Sequence, residues 1–244
     1  MILKIKNKND FVDRFLSPIS KINENAVIKI NTDKISSLIT TNDETLILYV
    51  VYANSDVETL QCNLNIPDIN RLIKVFSCID NDNIDIELDN NRLRYTSDNI
   101  NFKYHLLEDG IITTPSVSFD KIKKLNFTTT FEIKSHDMSS LIKASTFTVD
   151  TDKLYIHTKD GKIYSELTDK QKHNIDSFSR VLAESYNGDE ILTSIPLNFE
   201  TFRLMSSLRF DTCSVCLDQE KKVFLLTINS GDYTLNFVTV GLVG

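Results

Sequence analysis

Apolar and polar residues alternate along most of this chain, the signature of half-buried strands. The pattern predicts strands at Ala26 to Asn31, Leu46 to Ala53, Ile84 to Leu88 and Phe102 to Leu107. It does so again at Leu154 to Thr158, Lys162 to Leu167, Ile175 to Leu182, Ser214 to Leu217, Val223 to Asn229 and Tyr233 to Val240. Asn, Asp and Gly tolerate positive φ, and they cluster at Asp82-Asn83, Asp89-Asn90-Asn91, Lys159-Asp160-Gly161, Asn187-Gly188 and Ser230-Gly231. These are hairpin signals, so mainly antiparallel sheets are expected. Only four segments carry helical spacing. The first sets Phe11, Phe15 and Ile19 in register, with Asn9 or Asp10 as N-cap, and Pro18 is expected to end or kink it. The second follows Pro67 with Ile69, Leu72, Ile73 and Phe76 on one face. The third places Met138, Leu141 and Ile142 inward, and the fourth Phe202, Met205 and Leu208.

The second half repeats the plan of the first. Leu3-Lys4-Ile5-Lys6 returns as Phe131-Glu132-Ile133-Lys134, each copy followed by a short helix that begins near Asp10 or Asp137. The helical stretch Asp68 to Ile73 is echoed by Glu200 to Met205, and Ile86-Glu87-Leu88-Asp89 by Val215-Cys216-Leu217-Asp218. The order is kept and the offset stays between 127 and 132 positions, where chance similarity would scatter. Two copies of one α+β unit follow, and such repetition belongs to architectures that close by symmetry. The expected division is 1–108, an interdomain connector over 109–126, and 127–244. The connector is apolar for a tether, with Ile111, Ile112, Val117, Phe119, Ile122 and Leu125, so it is expected to lie against a surface.

Charge then changes the picture. The formal net charge is -7, which argues against a protein that grips nucleic acid over its whole surface. The distribution is uneven. The helical segments 8–22 (Lys8, Arg14, Lys21 against Asp10, Asp13), 67–79 (Arg71, Lys74 against Asp68) and 198–209 (Arg203, Arg209 against Glu200) each carry +1. Segment 136–147 is neutral, with Lys143 against Asp137, so the helices sum to +3 and the remaining chain to -10. Helices recurring at equivalent places in a strand-rich chain are expected to share one face of the sheets, and that face is then the mildly basic one.

Catalytic and metal chemistry finds no foothold. With 6 glycines there is no Gly-rich phosphate loop. Cys213-Ser-Val-Cys216 has zinc-like spacing but no second pair, and Asp80-Asn-Asp82-Asn-Ile84-Asp85 lacks the glycine and places Ile84 where a calcium ligand belongs. His105, His136, His157 and His173 match no catalytic spacing. Neither an enzyme, a cofactor nor a metal is expected. The four cysteines do not form a secreted disulfide framework, the N-terminus has no signal-peptide core, and no apolar run is long enough to span a membrane. A cytoplasmic or nucleoid-associated, non-secreted protein is expected.

Taken together, the repeat architecture and the echoes over Ile5 to Leu16 and Asp68 to Phe76 resemble the DNA polymerase sliding clamps, the family of proliferating cell nuclear antigen and the tailed-phage clamps. The resemblance implies two helices per domain facing a central hole and antiparallel sheets outside. It implies a homotrimer, since family rings hold six such domains, that encircles duplex DNA without sequence preference and tethers a DNA polymerase after opening by an ATP-driven clamp loader. Lys8, Arg14, Lys21, Arg71, Lys74, Lys143, Arg203 and Arg209 become candidates to line the DNA channel. Phe102 and Tyr104 would meet Ile175, Phe178 and Val181 of a neighbouring subunit, and Leu46, Leu125, Phe127, Val240 and Leu242 would frame a groove for partner peptides. Rival readings are a monomeric processivity factor that holds DNA by charge, which calls for a more basic face, and one subunit of a heterotrimeric checkpoint-type clamp. The richness in Asn, Ile and Lys suits an AT-rich coding genome such as a virus carries.

Overall fold

The computed structural model describes residues 2–53, 61–89, 91–148, 151–172 and 175–242. The chain divides into two compact units, Met1–Phe119 with Gly231–Leu235, and Asp120–Ser230 with Asn236–Gly244. The division point falls inside the proposed connector, at a short helix, α4 (Phe119–Ile122). Alternation had given no sign of that helix.

Unit 1 contains β1 (Ile2–Ile5), a helical stretch, β2 (Ala26–Ile30), β3 (Lys34–Thr40), β4 (Leu46–Ala53), β5 (Cys62–Ile66), α3 (Ile69–Ser77), β6 (Ile84–Asp89), β7 (Arg92–Thr96) and β8 (Asn101–His105). The helical stretch is α1 (Lys8–Phe11), a π-helical turn (Val12–Leu16) and α2 (Ser17–Ile22). Its N-cap is Asn7, whose side chain accepts from the Asp10 N–H at 2.9 Å, rather than Asn9 or Asp10. Pro18 does not end the helix. It falls in the first turn after the π-helical segment, where the ladder has already changed its spacing, so the helix continues to Ile22.

Unit 2 contains β9 (Thr129–Lys134), α5 (Ser135–Ala144), β10 (Lys153–Lys159), β11 (Lys162–Leu167), β12 (Phe178–Ala183), β13 (Asn187–Gly188), β14 (Ile195–Asn198), α6 (Glu200–Ser206), β15 (Thr212–Asp218), β16 (Val223–Ser230) and β17 (Tyr233–Val240). β17 starts among the residues of unit 1 and ends among those of unit 2.

The two units share one strand plan. Strand order β1-β6-β7-β8 in unit 1 matches β9-β15-β16-β17, and β5-β2-β3-β4 matches β14-β10-β11-β12. Even the register repeats. Leu3 faces Ile86 across β1 and β6, and their sequence echoes Phe131 and Val215 face each other across β9 and β15. Two chains of side-chain choices, far apart in sequence, thus satisfy the same pairing twice.

Four strands escaped the alternation rule. β3 carries Ser36 and Ser37 into the interior, where the Ser37 hydroxyl donates to the Val27 carbonyl at 3.0 Å, so burial on both faces erases the period-2 signal. β14 contains Pro196 and survives because it is an end strand in its sheet. β5 and β7 are short runs between turn signals. Conversely, Asn187-Gly188 is not a plain turn but a two-residue strand on β9. Gly188 sits at φ +93, and a Cβ there would lie 1.9 Å from the Thr128 carbonyl oxygen, so only glycine fits.

In unit 1 the stacked Phe11 and Phe15 rings (4.9 Å) anchor the helix over the core, and Tyr104 ties β8 to the start of α3. The Tyr104 hydroxyl donates to the Asp68 carbonyl at 2.6 Å and accepts from the Asp68 N–H at 3.2 Å. Burial raises its pKa above the usual phenol value. Tyr104→Phe is expected to lower unit 1 stability by about 1–2 kcal/mol, because it leaves the Asp68 N–H without this acceptor and takes one of two donors from the Asp68 carbonyl, which keeps the Leu72 N–H at 3.1 Å. Urea unfolding checks this; an unchanged midpoint would contradict it.

Candidate nucleic-acid interface and the open sheet edges

Each unit carries one helix pair packed side by side, α2 with α3 in unit 1 and α5 with α6 in unit 2. Apolar residues fix which side faces inward. Phe15, Leu16 and Ile19 are fully buried in the first stretch, Ile69, Leu72 and Phe76 in α3, Met138 and Leu141 in α5, Phe202 and Met205 in α6. Polar residues are therefore left outward in both units.

The eight predicted cations do not share one fate. Arg71, Lys74, Lys143, Arg203, Arg209 and Lys21 are exposed, and partial burial of the Lys21 stem lowers its pKa below the usual ammonium value. The Arg71 guanidinium lies 5.9 Å from the centroid of the Tyr104 ring. Arg203 is held at 3.2 Å by Glu200 and lies 5.0 Å from the Phe199 centroid, which leaves its position fixed but its charge partly compensated. Arg14 is half-buried and pairs with Asp10 at 3.3 Å. Lys8 corrects the sequence reading. It is only 5% exposed, its Nζ donates to the Ile79 carbonyl, and its N–H donates to the Asp82 carbonyl at 2.8 Å. Its role is to fasten the loop after α3 to the start of α1, so it cannot reach a phosphate.

α5 offers hydroxyls rather than charge. On α5 Ser139 donates to the Ser135 carbonyl and Ser140 to that of His136, and just beyond its end Thr146 donates to Lys143, all three exposed contacts. Such a surface neither attracts nor repels a phosphate strongly.

Backbone pairing explains which strand edges remain open. An end strand must cover its unpaired N–H and C=O groups or expose them. β5 is covered by Leu107, which donates to the Asn65 carbonyl at 2.9 Å, and β14 by Leu242, which donates to the Pro196 carbonyl at 2.7 Å. β4 is covered by Gly231–Leu235: the Ala53 N–H donates to the Asp232 carbonyl at 2.8 Å, and Tyr52 stacks on Tyr233 at 4.6 Å. β1 is only four residues long. Among the described residues, β8 and β12 are the two long edges with a partner strand on one side only.

On β8 the Leu106 N–H donates to the Asn91 carbonyl and the Ser97 N–H to the Ile100 carbonyl. Alternation of the ladder then turns the backbone groups of Asn101, Lys103 and His105 outward, away from β7. Of the predicted interface residues, Phe102, Phe178 and Val181 are half-buried and lie on these two edges. Two need correction. Tyr104 is 3% exposed and committed to Asp68, and Ile175 precedes β12 rather than lying in it.

Of the predicted partner groove, Leu46 is also corrected: it is 3% exposed, an inward residue at the start of β4. Leu125, Phe127 and Leu242 are half-buried and Val240 is 51% exposed, all in unit 2. Phe119, at the end of unit 1, is buried against Tyr49 with ring centroids 4.4 Å apart. Among the described residues, no group of three or more His, Cys, Asp or Glu side chains is arranged to hold a metal ion. Cys213 and Cys216 of β15 are free thiols, and burial pushes the Cys213 thiol up to about 12.

No family model matches the sequence, and no curated protein matches it. Solved structures do match the fold. Proliferating Cellular Nuclear Antigen from Entamoeba histolytica superposes with a TM-score of 0.77 at 15% identity, covering 99% of this chain and 98% of the other. A. fulgidus PCNA, in a structure with the C-terminal region of FEN-1 bound to it, gives 0.78 at 12% identity over 100% and 98%. A protein assigned as the DNA polymerase III beta subunit of Eubacterium rectale gives 0.74 at 12% identity, covering 99% of this chain but 65% of the other. The chain has the sliding-clamp fold over its full length.

The exposed cations separate cleanly from Lys8 by experiment. Replacing Arg71, Lys74, Arg203 and Arg209 with Ala is expected to flatten the slope of log affinity for duplex DNA against log salt by up to about 3–4, given roughly 0.9 per phosphate contact. Lys8→Met should leave that slope unchanged while lowering the melting temperature. Fluorescence anisotropy over a salt series checks both, and an equal slope change in the two variants would contradict the assignment.

Proposed function

We propose that this chain is a sliding clamp: a ring of three copies that encircles duplex DNA, slides along it without reading sequence, and tethers a DNA polymerase. The observation that carries the reading is the helix pair, present in both units with its apolar side buried, Arg71, Lys74, Lys143 and Arg203 outward, and Arg209 exposed in the loop just after α6. Three copies of two units supply six such pairs, and full-length likeness to two PCNA chains favours this count over the longer beta subunit.

The mechanism is mechanical rather than catalytic. Flexible cations near phosphates give contacts that form and break without base readout, and hydroxyl-lined α5 adds little drag. The charge outside the helical segments, -10 against their +3, repels DNA from the exterior and favours it in the hole. Closure, not affinity, then retains the polymerase, so opening calls for a separate ATP-driven loader. β8 of one copy pairs with β12 of the next, which removes both open edges together. Leu125, Phe127, Val240 and Leu242 form the accessible apolar residues on which a partner peptide docks, in the manner for which the FEN-1 C-terminal region on A. fulgidus PCNA gives precedent. The protein works in the compartment where DNA is replicated.

Topology provides the test. Protein loaded onto nicked circular DNA should resist washing at high salt and be lost when the circle is linearised; equal loss from both forms would point to a charge-held monomer. Replacing Phe178 and Val181 with Asp should split the assembly into single chains by placing unpaired charge in the joint. An assembly of unchanged mass would show that β12 is not the joining edge.

A further inference from the structure

Unit 1 contains a covered strand edge and unit 2 an uncovered one at the equivalent place, so the first is a template for the second. In unit 1, Asp10 is the third residue of α1 and holds Arg14 at 3.3 Å. Arg14 in turn lies beside the segment covering β4: a Cβ on Gly231 would sit 3.7 Å from its guanidinium. The aromatic ring at the start of that segment, Tyr233, is buried against Tyr52, and burial raises its phenol pKa.

In unit 2, Asp137 is the third residue of α5 and holds Arg180 of β12. Arg180 also donates from Nε to the Val181 carbonyl at 3.2 Å, so its planar head is fixed at both ends. Here nothing covers the strand among the described residues. The pair instead borders a cavity of about 700 Å³, with Phe178, Leu182 and Phe131 in its walls. The strand edge and the acid of the template recur, the arginine comes from the strand β12 itself rather than from the helix, and the covering segment with its aromatic ring is missing among the described residues.

β8 carries one candidate for it. β8 matches β17 in strand order, and it brings two aromatic residues on its inner face, Phe102 and Tyr104. Tyr104 is spent on Asp68. Phe102 is half-buried, with its ring 5.8 Å from Tyr95 and 6.5 Å from Phe76, and retains a free side. We infer that the Asp137–Arg180 pair is a preset receptor for Phe102 of a second copy, whose ring enters the cavity beside β12 and packs on the Arg180 guanidinium. This rests on the ring reading and adds to it the residues that lock the joint. Asp137 is the positioning residue: it compensates the charge of Arg180 and fixes the face that Phe102 meets, and an aromatic face accepts a guanidinium so oriented.

A double-mutant cycle tests the contact. Wild type, Phe102→Leu, Arg180→Met and the combination are compared by sedimentation over a dilution series, with circular dichroism to verify that each chain is folded. Each single change should raise the dissociation constant of the assembly by roughly threefold to thirtyfold, as loss of one such contact implies, and the double should be little worse than the weaker single. Asp137→Asn should reproduce part of the Arg180→Met effect. Strictly additive effects, or an Arg180→Met assembly as tight as wild type, would overturn the receptor while leaving the ring in place. A wild type that stays monomeric at every concentration would instead overturn the ring itself.

Discussion

A strand at the end of a sheet carries a row of backbone donors and acceptors that must find partners, and this requirement organises the whole protein. The chain meets it locally wherever it can. Leu107 closes β5 and Leu242 closes β14, at matching places in the two units, and Gly231–Leu235 closes β4. β8 and β12 are left over, one in each unit. Besides the four-residue β1 and the two-residue β13, they are the end strands that the described residues leave uncovered, and the strand that would cover β12 is the counterpart of one already used on β4. In the ring proposed above, another copy supplies what each end lacks, and assembly then follows from topology rather than from an added binding motif.

The helices depend on the same frame. Each buries its apolar side, so that its polar residues point away, and within each unit the exposed cations lie on the outward side of its helix pair. In the proposed ring, modest positive charge suits sliding, since each strong phosphate contact would deepen the well from which the protein must escape at the next step. Arg203 illustrates the compromise. Glu200 and the Phe199 ring hold it in place and blunt its charge at once.

Much of this was legible in the sequence because two signals reinforced one another. Alternation found β4, β11 and β17 to the residue, and the repeat converted isolated strands into a plan with the helices at equivalent places. Where a strand is covered on both faces, as β3 is, alternation vanishes, and Pro196 hid β14. Individual side chains were harder. Charge and spacing cannot tell that Lys8 turns inward to the Ile79 carbonyl, nor that Tyr104 is committed to Asp68, since both depend on loops brought together by the fold. Arg180 lay inside a strand already marked as an edge, but its pairing with Asp137 joins residues 43 positions apart, and no pattern in the sequence pointed to it.

The central claim is that one chain holds two of the six domains of a closed ring. Native mass by multi-angle light scattering over a dilution series tests it most directly. A ring of three chains gives a plateau at three times the 27.9 kDa chain mass that gives way to the monomer only on strong dilution. A monomer at all concentrations, or a stable dimer, would contradict it.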